Sequence, residues 1–306
     1  MKNFHNRGSI SLWGKEKAER GIDGIAAYSR DYLISFAVPA EFERIMKSGI
    51  KLVLILWSCS FPLGAMAQVQ DPHEAQPERP TVATHAGTVA PGWLEIEAGG
   101  ELDHYEDHSQ GVGLPVTVKI GVTSDIQFSI FAAGIQPQSN EAFQTGDLAF
   151  GLKWRLADDL PILGRFAVLP SIKLPTGSTV EGAGTGTVDG TLLLISSNEF
   201  GPVELDVNFG YTRRSGDGTV APKSATLWTF SFGGPAVGVL GWAAEMYGLP
   251  GTDGHAGKAP IVAILFGPTY AAEPWLVFDL GVIEPVAGPQ PRAVYCGGVW
   301  NIGRLW

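Results

Sequence analysis

From Trp93 to the end of the chain, apolar and polar positions alternate. In WLEIEAGGELD, Leu94, Ile96, Ala98 and Leu102 hold one parity, while Glu95, Glu97, Glu101 and Asp103 hold the other. A period of two belongs to a strand with one apolar and one polar face. The pattern recurs: Leu114, Val116, Val118 and Ile120 oppose Thr117 and Lys119, and Leu148, Phe150, Leu152 and Trp154 oppose Asp147, Lys153 and Arg155. Further on, Val203, Leu205, Val207 and Phe209 oppose Glu204, Asp206 and Asn208, and Leu276, Phe278, Leu280 and Val282 oppose Asp279. About twelve such segments fit before Trp306, each near the roughly 9 to 11 residues that a tilted strand needs to cross a bilayer. Downstream of Gln68 no apolar run reaches the length of a spanning helix.

The connections between these segments alternate as well. One set is long and polar: DHYEDHSQGVG, QPQSNEAFQTG, PTGSTVEGAGTGT, RRSGDGTVAPKS, PGTDGHAGKAP and EPVAGPQP. The other is mostly short: TSD, ADDLPILG, SSNEFG, GPAVG and AAEP. Outer-membrane barrels keep long loops outside the cell and short turns in the periplasm, whereas sandwich loops vary at both ends. The expectation is an all-β fold over 91–306, a transmembrane antiparallel up-and-down β-barrel of about twelve strands. A secreted sandwich or lipocalin-like barrel is the competing architecture.

The last segment ends on VWNIGRLW. Cys296, Gly298, Trp300, Ile302 and Trp306 share the parity expected to face lipid, with Trp306 at the aromatic girdle. Such an ending resembles the sorting signal read by the outer-membrane assembly machinery, so Trp306 is the expected assembly residue.

Upstream, MKSGIKLVLILWSCSFPLGAMAQ places Lys47 and Lys51 before an apolar stretch, a Pro62 and Gly64 break, and the A-x-A of Ala65, Met66 and Ala67. This is the pattern of an export signal, which predicts a signal peptide over 46–67 and localisation to the bacterial outer membrane. Residues 1–45 then read as a misassigned N-terminal extension. Residues 68–90, rich in proline and without a period, are either a periplasmic lead-in or an inward-folded plug.

Composition narrows the function. The 306 residues carry a net charge of -10, which gives no purchase on nucleic acid, whose binding rests on Lys and Arg neutralising phosphates. Cys59 and Cys296 provide neither a disulfide framework nor a zinc site. The 40 glycines show no G-X-Y period, and GAGTGT at 182–187 lacks the G-K-[ST] of a phosphate loop.

RPTVATHAGTVAPGWLEIEAGGEL, LPVTVKIGVTSDIQFSIFA, GDLAFGLKWRLADD and IKLPTGS together resemble the successive motifs of an outer-membrane transporter family linked to meta-pathway phenol degradation. The likeness is best from Arg79 to about Ser178. It departs at Thr81, where the family often has Asp, and at Ser124-Asp125, where it often has Asp-Arg. It implies a barrel that admits small organic, including aromatic, solutes.

The charges of inward parity are the candidate lumen lining: Glu95, Glu97, Lys119, Asp147, Lys153, Arg155, Arg165, Lys173, Glu204, Asp206, Glu245 and Asp279. Cross-lumen pairs would seal a narrow barrel, whereas a remaining polar path would select solutes. ELDHYEDHS groups His104, Glu106, Asp107 and His108 in a loop, as metal ligands or as a solvated acidic surface. Outer-membrane hydrolases need a nucleophile beside a base, and no strand pairs Ser with His. Neither catalysis, a cofactor nor a bound metal is expected. The expected partners are the bilayer, the assembly machinery and a small organic solute, and the alternative is a structural or adhesive barrel without transport.

Overall fold

The structure, a computed structural model, describes residues 71–136, 142–180, 182–216, 222–249 and 260–306. The expected extension and signal peptide lie outside the described residues. From Trp93 the chain forms one antiparallel meander: β1 (Trp93–His104), β2 (Gln110–Gly121), β3 (Ile126–Gln136), β4 (Gln144–Thr145), β5 (Leu148–Leu160), β6 (Gly164–Leu174) and β7 (Asp189–Phe200). It continues through β8 (Val203–Arg214), β9 (Ser224–Val237), β10 (Leu240–Leu249), β11 (Ile261–Glu273), β12 (Leu276–Ala287) and β13 (Arg292–Arg304). β4 is a two-residue addition beside the loop end of β3; the other strands are the twelve staves of a wall. β1 pairs with β13, from Trp93 opposite Arg304 to His104 opposite Arg292, and this seam closes the barrel.

The wall is inverted relative to a soluble protein. Phe209 is 52% exposed and Leu280 53%, whereas Lys119 and Lys153 are fully buried. Period-two alternation produces this arrangement when lipid lies outside and polar side chains meet one another inside. Described residues include no helix long and apolar enough to cross a membrane.

Loops and turns alternate as the sequence predicts, but several are shorter than expected because strands run into them. The first loop is only 105–109, because β1 and β2 run on through much of DHYEDHSQGVG. Likewise β5 and β6 take up most of ADDLPILG and leave 161–163 as the turn. Strand pairing continues past the apolar band wherever backbone groups still find partners, so the polar ends of strands look like loop in sequence. One end of the barrel therefore carries tight turns, such as 201–202, 238–239 and 274–275, and the other carries longer loops, such as 175–188.

Candidate functional site

Residues 71–92 lie inside the barrel. They form no strand of the wall, apart from one isolated bridge between Pro91 and Gly121. Their path is an arch. The rising leg starts at the turn end, where the Asn301 amide donates to the carbonyls of Pro72 (3.4 Å) and Glu74 (3.2 Å) and the Ala75 N–H donates to Pro274 O (2.8 Å). His73 stacks against Trp275 with ring centroids 5.8 Å apart. Higher up, the N–H groups of Gln76 and Glu78 donate to the carboxylates of Glu95 and Glu97, each at 2.7 Å.

At the summit, the N–H groups of Val82 and Ala83 both donate to the Glu245 carboxylate at 2.7 Å. Thr84 N–H donates to Asn208 Oδ1 (2.8 Å), and Asn208 Nδ2 donates back to Thr84 O (2.9 Å). The falling leg passes Ser197 Oγ, which takes the Ala86 N–H at 2.8 Å, and Gln127, which takes the Val89 N–H at 2.9 Å. It returns to the turn end at Gly92, bonded to Gly121 O. A chain without a ladder of its own has to place its backbone groups somewhere, and here inward polar side chains of the wall receive them.

Ion pairs fix the legs. Lys119 bridges Glu95 and Glu97, 2.6 Å from each, and also donates to Gln76 O at 2.5 Å. Lys153 pairs with Glu78 and donates to the carbonyls of His85 and Gly87, both at 2.9 Å. Arg79 meets Asp279 through two hydrogen bonds, from Nε at 3.1 Å and from an Nη at 3.0 Å. Its guanidinium fits because Gly99 and Gly297 present no side chain: a Cβ at Gly99 would lie 2.4 Å from Arg79 Cζ, and one at Gly297 2.5 Å from its Nη2. His85 Nδ1 accepts the Gly87 N–H at 3.0 Å. Burial first, and the Lys153 ammonium second, pull the His85 imidazole down from 6.5 to about 3.

A second network lies toward the loop end. Lys173 pairs with Asp147 and with Asp189, the latter at 3.2 Å, and Arg214 reaches Asp189 at 3.1 Å. Asp147 also accepts the N–H groups of Gly177 (2.9 Å) and Thr185 (3.0 Å), which folds the GAGTGT loop onto the wall. That loop thus packs on a carboxylate rather than offering its amides to a phosphate.

The candidate lining residues separate into groups. Glu95, Glu97, Lys119, Lys153, Glu245 and Asp279 seat the arch, and Asp147 and Lys173 pin the loop. Asp206 accepts from Ser197 Oγ at 2.5 Å, on the falling-leg side. Glu204 precedes it at the turn end of β8 and is exposed. Arg155 and Arg165 sit on the turn rim, where Arg155 pairs with Asp125 at 2.7 Å and Arg165 with Glu199 at 3.6 Å, both partly exposed. Charge counting alone overlooks the uncharged partners Gln127, Ser197, Asn208 and Asn301. Their signal was the same inward parity, which a search confined to charges does not use.

Other chemistry finds no assembled site among the described residues. In the first loop Asp107 accepts the hydroxyl (2.6 Å) and N–H (3.0 Å) of Ser109, and His104 meets the Gln110 amide; no group of three metal-ligating side chains converges. The ring nitrogens of His73 and His85 meet Asn301 O, Gln76 O and the Gly87 N–H, not a serine or a carboxylate.

A closed twelve-stave wall with a greasy exterior and an inserted segment defines a porin-like barrel of the bacterial outer membrane. The chain belongs to the family described as "Putative MetA-pathway of phenol degradation", whose profile matches residues 79–288, more than half of its length. The COG4313 outer membrane channel from Pseudomonas putida F1 shares the fold, with a TM-score of 0.56 over 74% of this chain and 99% of that one, at 11% identity. The KdgM porin matches less closely, with a TM-score of 0.47 over 68% of this chain and 99% of that one, at 9% identity. No curated protein sequence matches the chain.

Proposed function

We propose that this barrel conducts small organic solutes, aromatic ones among them, across the outer membrane, and that residues 71–92 are its plug. The aromatic part of this reading comes from the family description. The observation that carries the rest is how the arch is held: by side-chain hydrogen bonds and ion pairs rather than by strand pairing. Held this way, the segment from Asp71 to Ala90 could leave without breaking a strand ladder of the wall. In this reading the short turns and the arch legs face the periplasm and the long loops face outward. The chain is exported through 46–67, and Trp306 presents the last strand to the assembly machinery.

The rival reading, a barrel without transport, draws on the depth to which the inward charges are buried. Solute flux into liposomes separates the two. Purified barrel should pass small aromatic solutes, and deletion of 71–90 should raise flux several-fold; an absence of flux from both forms would leave the structural reading standing.

A further inference from the structure

The arch covers the inner wall unevenly. The hydrogen bonds described above reach β1, β2, β3, β5, β7, β8, β10, β12 and β13, but none of them reaches β6, β9 or β11, although the one from Ala75 N–H ends on Pro274 O in the β11–β12 turn. On β10 the contact is made at Glu245, above the turn end. At the turn end of β9 to β12 lies an open pocket of about 280 Å³. Gly234, Pro235, Gly241, Thr269, Ala271 and Val277 line it, together with the β9–β10 turn and Trp242, whose parity is the outward one. Gly241 shares the inward parity of Glu245, and Val277 that of Asp279. Thr269 stands inward beside Gly241, since a Cβ there would lie 2.6 Å from Thr269 Oγ1.

The lining chemistry is specific. No ionisable side chain contributes to it, and the Thr269 hydroxyl is its single hydroxyl group. On the other side of Glu245 the same two strands turn Tyr247, Leu249, Ala263 and Leu265 inward, all buried. Uncharged inward positions of β10 and β11 therefore lie on either side of Glu245, and the summit of the arch sits between them, where Val82 and Ala83 donate to that carboxylate. An uncharged wall favours apolar bodies and disfavours ions, which would lose hydration without gaining a partner.

We propose that this pocket is a solute-binding vestibule at the turn end of the permeation route, taking one small uncharged molecule with an apolar body and a single hydroxyl or carbonyl. The Glu245 carboxylate, by gripping the summit of the arch, is the partition between the vestibule and the rest of the lumen. This assignment rests on the conduction reading above, and its test is chosen to fail separately from it.

Saturation-transfer NMR on the full chain in detergent uses benzyl alcohol as probe and benzoate as its charged counterpart, with liposome flux measured in parallel. Benzyl alcohol should bind and benzoate should not. Ala271→Phe, which fills the pocket, should weaken binding at least tenfold, and Ala271→Leu should weaken it less; heat-modifiable migration reports that each variant has folded. Glu245→Gln should raise benzyl alcohol flux several-fold. Equal binding of benzoate, or undiminished binding in both folded Ala271 variants, would overturn the vestibule. Binding lost on filling the pocket, in a barrel that passes nothing, would keep the vestibule and remove the conduction reading. Flux without any such binding would do the reverse.

Discussion

Lys153 ties the two legs of the arch to the wall at one point. Its ammonium answers the Glu78 carboxylate on one leg and the carbonyls of His85 and Gly87 on the other. Lys153→Met would leave all three buried without this donor. Breaking one side of a buried pair costs about 3–5 kcal/mol, which the arch can escape only by withdrawing. Amide exchange across 76–87 should therefore accelerate sharply in this variant, while the wall keeps its protection. His85 adds a pH dependence. Seated, it is neutral, with its pKa held at about 3; solvated, it takes a proton near 6.5. Seating is at full strength above about pH 6.5 and weakens as the pH falls toward 3. The groups facing the ring electrostatically are Lys153, Glu78 and Lys119. Exchange of the arch should rise on acidification in the native chain, and His85→Gln should flatten that part of the profile. At this scale the wall half of the site was legible in sequence and the arch half was not. Lys153 and Glu245 announce themselves by parity, but a segment without periodicity gives no indication of which way Glu78 or Arg79 points.

Among the elements, five strands contain a proline, and in three of them it lies within the doubly paired part of the wall, where a barrel has no free edge to put it. Pro115, Pro170 and Pro268 pair across one side only, with Ala133, Leu192 and Trp242. On the other side each ladder skips: β1–β2 between Ala98 and Glu101, β5–β6 between Gly151 and Trp154, and β11–β12 between Phe266 and Thr269. A strand residue sends its N–H and C=O to the same neighbour, so a proline forfeits bonds on one flank alone. Period two predicted these strands correctly despite their prolines, because burial pattern outweighs the loss of one donor. The strand ends were less legible, since pairing outlasts the apolar band. The loop 175–188 depends on a single acceptor for two of its N–H groups, Asp147. Asp147→Ala leaves those donors unsatisfied at about 1–3 kcal/mol each, and limited proteolysis should cut within 175–188 in this variant before it cuts the native chain.

For the molecule as a whole, the physical demand is an outer surface that lipid can wet. Phe209, midway along β8 and half exposed, tests it directly. Phe209→Arg should lower stability in a bilayer by about 2–4 kcal/mol if the position sits at the midplane, and by about 0–1 near an interface. Denaturant titration in liposomes measures this, and a cost well above that range would mean that the residue packs against protein instead. The enclosure also limits how the interior is filled. Both legs of the arch leave by the turn end, one beside Asn301 and the other beside Gly121. The insert thus enters as a bight of rope pushed into a sleeve, with neither free end threaded through. Withdrawing it, as the proposed conduction requires, would leave the β1–β13 seam closed.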